Sequence, residues 1–172
     1  MRECGCRLIL STAVAAVMSH GAHAARNNPG PGTGIPADMP AASCALHGLG
    51  VAHSVEVYEA KTLIGGLYGI LIGDMFFGES MFSLKSNASK IAFGGLSKLC
   101  RDHGIGVIDC QVHNEQLVSL GSQPMARKDF ANHLREAIKK PVTDVFANQR
   151  CLVHEEHWPL DKELRAHLVD TA

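Results

Sequence analysis

Three polar side chains lie within apolar stretches of the sequence and could take part in chemistry, namely Glu79, Asp109 and Gln111. Glu79 lies at the end of an apolar run, directly after Gly78. Asp109 and Gln111 are two residues apart in the segment 108–112, so they share one face if that segment is a strand. A buried carboxylate is costly without a partner, so each acid is either hydrogen-bonded within the fold or part of a site. The residue types alone leave both interpretations open.

Hydrophobic periodicity predicts the elements that must position these residues. Alternating residues predict strands at 53–58, 63–72 and 75–82, with a two-residue turn, Gly73-Asp74, between the last two. The clearest helix, 87–102, has an apolar stripe made by Ala92, Gly95, Leu96, Leu99 and Cys100. The remaining predictions are a buried strand at 105–112, helices at 38–49, 115–120 and 127–139, a loop at 27–36, and no strong pattern from residue 142 onward.

The order of these elements predicts an α/β fold class, with a mixed sheet and flanking helices. Three antiparallel strands, a helix, a strand and further helices form the core of the acetyltransferase-like (GNAT) fold, so we expect a GNAT-like acyltransferase fold. The predicted organisation is a partial N-terminal helix and Pro/Gly-rich loop at 1–36, the GNAT-like domain at 37–140, and a C-terminal tail at 141–172. Gly65, Gly66 and Gly69 would weaken the second strand unless another segment approaches it closely.

Composition limits the class of partner. A formal net charge of −1 argues against a surface coated in basic charge, but leaves room for a local basic face that could bind nucleic acid. Apolar residues make up 46% of the chain, which predicts a folded protein. No apolar run reaches the roughly 20 residues that span a membrane. The six cysteines lack a disulfide-scaffold rhythm, which fits a reducing compartment.

The N-terminal segment allows two interpretations. Arg2 and Arg7 precede the apolar run 8–18, and Ala22-His23-Ala24 is typical of a cleavage site, so the segment could be a secretory signal. The alternative is an amphipathic helix at 10–24 that belongs to the fold. The segment by itself favours neither.

Two further functions are disfavoured by local pattern. Cys151, His154 and His157 are potential metal ligands, but their spacing matches no standard zinc site and a second ligand pair is missing, so a polar tail is favoured. A coenzyme A-dependent acetyltransferase would need a glycine-rich loop before the main helix to bind the pyrophosphate. The corresponding segment, 84–89, contains no glycine.

Three segments together resemble the leucyl/phenylalanyl-tRNA–protein transferase family of aminoacyltransferases. They are GGLYG at 65–69, FFGESMFS with NASK at 76–83 and 87–90, and IDCQV with SLG at 108–112 and 119–121, preceded by HSVEV at 53–57. The resemblance runs from about residue 10 to residue 133 and is dense between 53 and 121. It favours the helix over the signal at the N-terminus, and therefore a cytoplasmic protein.

The resemblance implies a peptide-bond synthesis without a cofactor or metal. The family takes Leu or Phe, and less readily Met, from aminoacyl-tRNA and joins it to acceptor proteins that begin with Arg or Lys, which marks them for degradation by the N-end rule. Asp109 and Gln111 occupy the positions of the catalytic pair. Gln111 would polarise the ester carbonyl, and Asp109 would orient the amine and assist proton movement. Glu79 would bind the amino group of the aminoacyl residue.

The resemblance also implies binding surfaces for the two parts of aminoacyl-tRNA. An apolar pocket for Leu or Phe would be lined by Leu67, Phe76, Phe93, Leu96 and Ile108. Lys90, Arg127 and Lys128 could contact tRNA phosphates.

The chain departs from the family pattern at its N-terminal end. The family's N-terminal domain has no counterpart here, and Gly34 replaces the family's loop tryptophan. We therefore expect residual rather than family-level transfer. The alternative is an inactive remnant that retains only the fold.

Overall fold

The fold is described from a computed structural model, which covers residues 6–27, 39–141, 145–146, 152–153 and 168–170. The strands are β1 (Cys6–Leu10), β2 (Ala52–Glu59), β3 (Thr62–Ile72), β4 (Met75–Ser83), β5 (Val107–Asp109), β6 (Gln123–Pro124), β7 (Leu152–Val153) and β8 (Leu168–Asp170). The helices are α1 (Val14–Asn27), α2 (Met39–Gly48), α3 (Ala88–Asp102), α4 (Glu115–Leu120) and α5 (Arg127–Ala137).

The strands form one mixed sheet in the order β6-β8-β5-β4-β3-β2-β1-β7. Strands β1 to β4 pair antiparallel, and β5 pairs parallel to β4 after the crossover through α3. The predicted α/β class, with a mixed sheet, flanking helices and this order of strands and helix, is therefore confirmed.

Helix α3 packs on one face of the sheet and forms the main core with it. Every residue of its predicted apolar stripe is buried, which confirms the helical periodicity of 87–102. Against these side chains pack Leu8, Val55 and Leu71 from three strands, each at most 1% exposed. We call this apolar cluster the main core.

Two smaller clusters complete the interior. The α1 cluster consists of Val14, Val17, Met18, Tyr68 and Phe82, with Leu63 at its margin. The α5 cluster consists of Met75, Val107 and Ala137, with Phe77, Met125, Phe130 and Leu134 packed around them. Tyr68 and Leu67 are adjacent in β3 but belong to different clusters, as strand alternation requires.

A fully buried acid, Glu56, fixes the corner between β1 and α1. Its carboxylate accepts hydrogen bonds from the backbone N–H groups of Thr12 and Ala13, each 3.2 Å from Oε1. The hydroxyl of Thr12 donates to Oε2 at 2.6 Å, and the hydroxyl of Ser54 donates to Oε1. The N–H groups of the two residues that precede α1 thus find an acceptor. Within the described part of the chain, Glu56 has no basic partner.

The glycines of β3 permit close packing, as expected. A Cβ at Gly65 would lie 2.5 Å from the Cβ of Ala88 in α3, and one at Gly69 would overlap the Phe77 carbonyl and the Phe76 ring. The predicted hairpin turn at Gly73-Asp74 is present between Ile72 and Met75. Gly73 has φ of +57°, in the left-handed region that favours glycine.

Several predictions about the ends of the chain are wrong. Cys6–Leu10 forms a strand that the sequence did not predict, because its apolar residues were assigned to a helix or a signal. The tail from residue 142 was predicted to have no pattern, yet Val145 and Phe146 are buried in the main core. Phe146 stacks on His53, with ring centroids 4.0 Å apart. The predicted loop at 27–36 and Gly34 lie outside the described residues.

The cysteines in the described part of the chain divide into two groups. Cys44, Cys100 and Cys110 carry free thiols, and burial raises the pKa of the Cys100 thiol well above its ordinary value. Cys6 is disulfide-bonded, which the cysteine spacing did not predict.

We predict that replacing Glu56 with Ala lowers the free energy of unfolding by roughly 3 kcal/mol, because the buried donors of Thr12, Ala13 and Ser54 lose their acceptor. Urea denaturation measures the loss. The control is Glu59→Ala in the same strand, because Glu59 forms an ion pair with Lys85 in which both side chains are solvent-exposed. That variant should lose less than about 1 kcal/mol. Equal losses in the two variants would contradict the anchoring role of Glu56.

Candidate active site

Glu79 lies at a β-bulge in the middle of β4. Tyr68 in β3 pairs with Ser80, whereas the next residue, Gly69, pairs with Gly78, so Glu79 has no partner across the strand pair. A bulge of this kind changes the direction of the extra side chain and is frequent next to active sites. Glu79 is half-buried, which leaves its carboxylate accessible to a ligand.

Tyr68 is an additional residue of the site that sequence reasoning missed. Its side chain is 2% exposed. Burial raises the pKa of the Tyr68 phenol, and the negative charge of Glu79 raises it further. The two side chains are therefore electrostatic neighbours. The GGLYG motif contains Tyr68, but strand alternation alone could not show that the bulge brings Glu79 to it.

Asp109 is the last residue of β5 and is 5% exposed. Its Oδ1 accepts a hydrogen bond of 2.8 Å from the backbone N–H of Gln111. Gln111 has φ of +61°, in the left-handed region, which costs a residue with a Cβ roughly 1–2 kcal/mol. Strained backbone of this kind concentrates at functional sites and must be held by its surroundings.

The predicted strand at 105–112 is therefore too long. It ends at Asp109, and Gln111 follows in a turn, so the two residues do not share a strand face by alternation. They are nevertheless adjacent, because the Asp109 carboxylate holds the Gln111 backbone. An Asx-type hydrogen bond replaces the strand geometry.

The backbone brings Asp109 beside the bulge of β4. Asp109 pairs with Phe77 in the parallel register of β5 and β4. A Cβ at Gly78 would lie 3.3 Å from the Asp109 carbonyl oxygen. Glu79 is the next residue, so the two acids lie on neighbouring strands at nearly the same level of the sheet.

The five predicted pocket residues all lie in the main core. Leu67, Phe76, Phe93, Leu96 and Ile108 are each at most 3% exposed and belong to one cluster. The margin of that cluster reaches Met81 and Cys110, which are only partly buried. Met81 lies close in sequence to Glu79, and Cys110 lies between Asp109 and Gln111. A pocket in this cluster stays a prediction.

The predicted basic residues lie on two helices. Lys90 is exposed in the first turn of α3, which packs on the main core. Arg127 and Lys128 are exposed at the start of α5, whose apolar residues belong to a different cluster. Their contact with tRNA stays a prediction.

No group of three or more His, Cys, Asp and Glu side chains in the described part of the chain could hold a metal ion. The segment with Cys151, His154 and His157 lies outside the described residues. None of the described helices has the length and apolar character needed to cross a membrane.

Comparison with known proteins identifies one family. The family model described as leucyl/phenylalanyl-tRNA protein transferase matches residues 1–135. A leucyl/phenylalanyl-tRNA–protein transferase from Cupriavidus pinatubonensis is 47% identical over 110 residues, which cover 64% of this chain and 44% of the relative. The transferase of that name from Leptothrix cholodnii is 49% identical over 110 residues, which cover 64% of this chain and 43% of the relative. The chain thus spans less than half the length of these two relatives.

Among solved structures, an aminoglycoside acetyltransferase from an uncultured soil metagenomic sample matches with a TM-score of 0.49 and 8% sequence identity. The match covers 82% of this chain and 94% of that one. We infer nothing about function from a similarity of this size.

We predict that Gln111→Gly is more stable than Gln111→Ala by about 1 kcal/mol, because glycine adopts the left-handed conformation without steric cost. Both variants lack the side-chain amide, so the difference between their stabilities reports the cost of the backbone conformation. The matched control is Gln116, an exposed residue of α4, where glycine should instead be about 1 kcal/mol less stable than alanine. If glycine is the less stable residue at both positions, Gln111 is not strained.

We predict that Glu79→Gln lowers the pKa of Tyr68, because removal of a nearby negative charge favours the tyrosinate. The chain contains only two tyrosines, so a Tyr58→Phe background leaves one phenol to titrate by ultraviolet absorbance. In that background the phenol should titrate above its ordinary value of 10.0, and Glu79→Gln should move the midpoint towards it. Glu59→Gln serves as the control and should leave the midpoint in place. An unchanged midpoint in the Glu79 variant would show that the charge of Glu79 does not influence the Tyr68 phenol.

Proposed function

The chain belongs to the leucyl/phenylalanyl-tRNA protein transferase family, and from this premise we propose that it transfers an amino acid from aminoacyl-tRNA to the N-terminus of an acceptor protein. The amino acids are Leu, Phe and, less readily, Met. The acceptors begin with Arg or Lys, and the product is marked for degradation. Charged tRNA as donor implies that the reaction takes place in the cytoplasm.

The observation that carries this proposal is the pairing of Asp109 with Gln111 inside the segment that the family model matches. A buried carboxylate holds Gln111 in a left-handed conformation through its backbone N–H. The carboxamide of Gln111 is then directed by a fixed backbone rather than by a flexible loop. Fixed donors are what a site needs in order to stabilise charge that develops on a reacting oxygen.

The proposed reaction forms one bond and breaks one. The neutral α-amine of the acceptor attacks the ester carbonyl carbon, which forms the peptide C–N bond and breaks the ester C–O bond. One proton leaves the amine, and the ribose oxygen of the departing tRNA receives one. Gln111 donates from its amide to the carbonyl oxygen, while Asp109 orients the amine and assists the proton transfer. No cofactor takes part in this step.

Glu79 would bind the α-ammonium group of the aminoacyl residue through a charge-assisted hydrogen bond. Its position at the bulge supports this role, because the carboxylate is half-buried and therefore only partly hydrated. Tyr68 would remain neutral beside it, because its pKa is raised by burial and by Glu79 itself. The phenol can then donate a hydrogen bond without adding charge.

The side chain of Leu, Phe or Met would enter the main core at its margin. The support is that Met81 and Cys110, the partly buried residues there, lie close in sequence to Glu79 and Asp109. The five predicted pocket residues would then form the apolar walls behind them. The remaining part of the tRNA would contact Lys90, Arg127 and Lys128.

The experiment is transfer of labelled leucine from charged tRNA to a peptide that begins with Arg. We expect transfer by the chain, and we expect Asp109→Ala to lower its rate at least about a hundredfold, since positioned acid–base groups contribute roughly 10²–10⁴. Gln111→Ala should lower it similarly. Asp102→Ala is the matched control, because Asp102 is an exposed acid at the end of α3 that pairs with Lys98.

The rates should be compared at equal folded fraction, measured by circular dichroism. Undiminished transfer by folded Asp109→Ala would refute the catalytic assignment. No transfer by the unaltered chain would refute the proposed function for this chain.

A further inference from the structure

An open pocket of about 530 Å³ lies where β4 leads into α3, opposite the start of α4. All of its lining residues are polar, namely Ser83, Ser86, Asn87, Ser89, Lys90, Glu115, Gln116 and Ser119. Neither Asp109, Gln111 nor Glu79 contributes to its walls. The pocket is therefore separate from the proposed catalytic residues, and its lining fits a hydrophilic ligand.

The N-terminus of α3 supplies positive potential to this pocket. Helix α3 is 15 residues long, and the amide groups at its start carry partial positive charge. The N-cap residue, Asn87, has φ of 67° and its side chain makes no capping hydrogen bond. The backbone N–H of Lys90 has no acceptor among the described residues. An anion at this position would find a free donor.

A buried hydroxyl points independently to a missing ligand. Ser89 is only 7% exposed and lines the pocket, yet its hydroxyl has no hydrogen-bond partner within the described part of the chain. An unsatisfied buried donor costs roughly 1–3 kcal/mol. By contrast, the hydroxyl of Ser97 in the same helix is buried but donates to the Phe93 carbonyl at 2.9 Å. A ligand oxygen in the pocket would satisfy Ser89.

The charges of the pocket lie on opposite walls. Lys90 has no ion-pair partner in the described residues, whereas Lys85, which precedes α3, is paired with Glu59. Glu115 and Gln116 face the pocket from α4 and offer oxygen acceptors. A bare anion would meet repulsion from Glu115. A ligand that carries a phosphate at one end and hydroxyl groups at the other would match both walls.

We propose that this pocket binds a ribose phosphate, with the phosphate at the N-terminus of α3 and a ribose hydroxyl at Glu115. The phosphate accepts from the Lys90 backbone N–H and the Ser89 hydroxyl, and pairs with the Lys90 ammonium group. We assign the ligand to the RNA chain of the aminoacyl-tRNA, a source that rests on the proposed function. A free nucleotide offers the same chemistry, and the test separates the two.

The test is calorimetric titration of the full chain with adenosine 5′-monophosphate, adenosine and inorganic phosphate. The monophosphate should bind at least about tenfold more tightly than either of the others, because only it reaches both walls. Ser89→Ala and Lys90→Gln should each weaken its binding by about tenfold. Ser97→Ala should leave it unchanged. The proposal would be overturned if adenosine or inorganic phosphate bound as tightly as the monophosphate. It would also be overturned if the Ser89 and Lys90 variants bound the monophosphate as tightly as the unaltered chain.

The source of the phosphate is tested with the trinucleotide CCA and its all-deoxy analogue. The RNA trinucleotide should bind more tightly than the monophosphate, and Glu115→Gln should reduce its preference over the deoxy analogue. Tighter binding of the monophosphate would overturn the RNA assignment in favour of a free nucleotide.

These binding measurements do not require the chain to transfer leucine. If the proposed function fails while this inference holds, the trinucleotide binds but leucine is not transferred. If this inference fails while the function holds, Ser89→Ala transfers leucine normally and binds the trinucleotide as the unaltered chain does.

Discussion

The buried carboxylate of Glu56 is the interaction on which the arrangement of this fold depends most directly. It lies in the middle of β2 and collects donors from Thr12, Ala13 and Ser54, so that β1, the start of α1 and β2 meet at one point. Charge at this depth is tolerated only because each oxygen is hydrogen-bonded. The direction of α1 follows from it, and α1 covers the sheet face that carries Tyr68. The environment of Glu79 in β4 is thus influenced by a residue of β2, two strands away in the sheet.

The part of the fold that could be predicted is the part governed by local periodicity. Helices α3 and α4, the strands β2 to β4 and the turn at Gly73-Asp74 were predicted to within a few residues, because apolar spacing and turn residues are local signals in the sequence. Strand β1 was not, since its apolar residues adjoin the apolar start of a helix and were assigned together with it. Phe146 was also missed, because its burial depends on stacking against His53, a residue far away in sequence.

The candidate site shows the same division. The types of the acids and the amide, and their occurrence in one region, could be inferred from sequence. The geometry that relates them could not. A bulge at Glu79 and a positive φ at Gln111 are departures from regular structure, and neither has a signature in residue pattern. Both are held by tertiary contacts, namely the pairing of β3 with β4 and the hydrogen bond from Gln111 to Asp109. Functional sites are where local rules and global structure are expected to disagree.

The bulge also affects which face of the sheet each side chain of β4 occupies. Phe76 precedes it at an even position and Met81 follows it at an odd one, yet both pack on the main core, whereas Phe82 packs on the α1 cluster. The alternation of side chains between the two faces therefore shifts by one residue at Glu79. Deletion of that single extra residue would restore an uninterrupted ladder, in which Met81 still pairs with Leu67 and the later side chains of β4 keep their faces. Length at this position therefore matters to the candidate site rather than to the sheet: loss of the extra residue would spare the packing of β4 and remove the irregular backbone that directs Glu79.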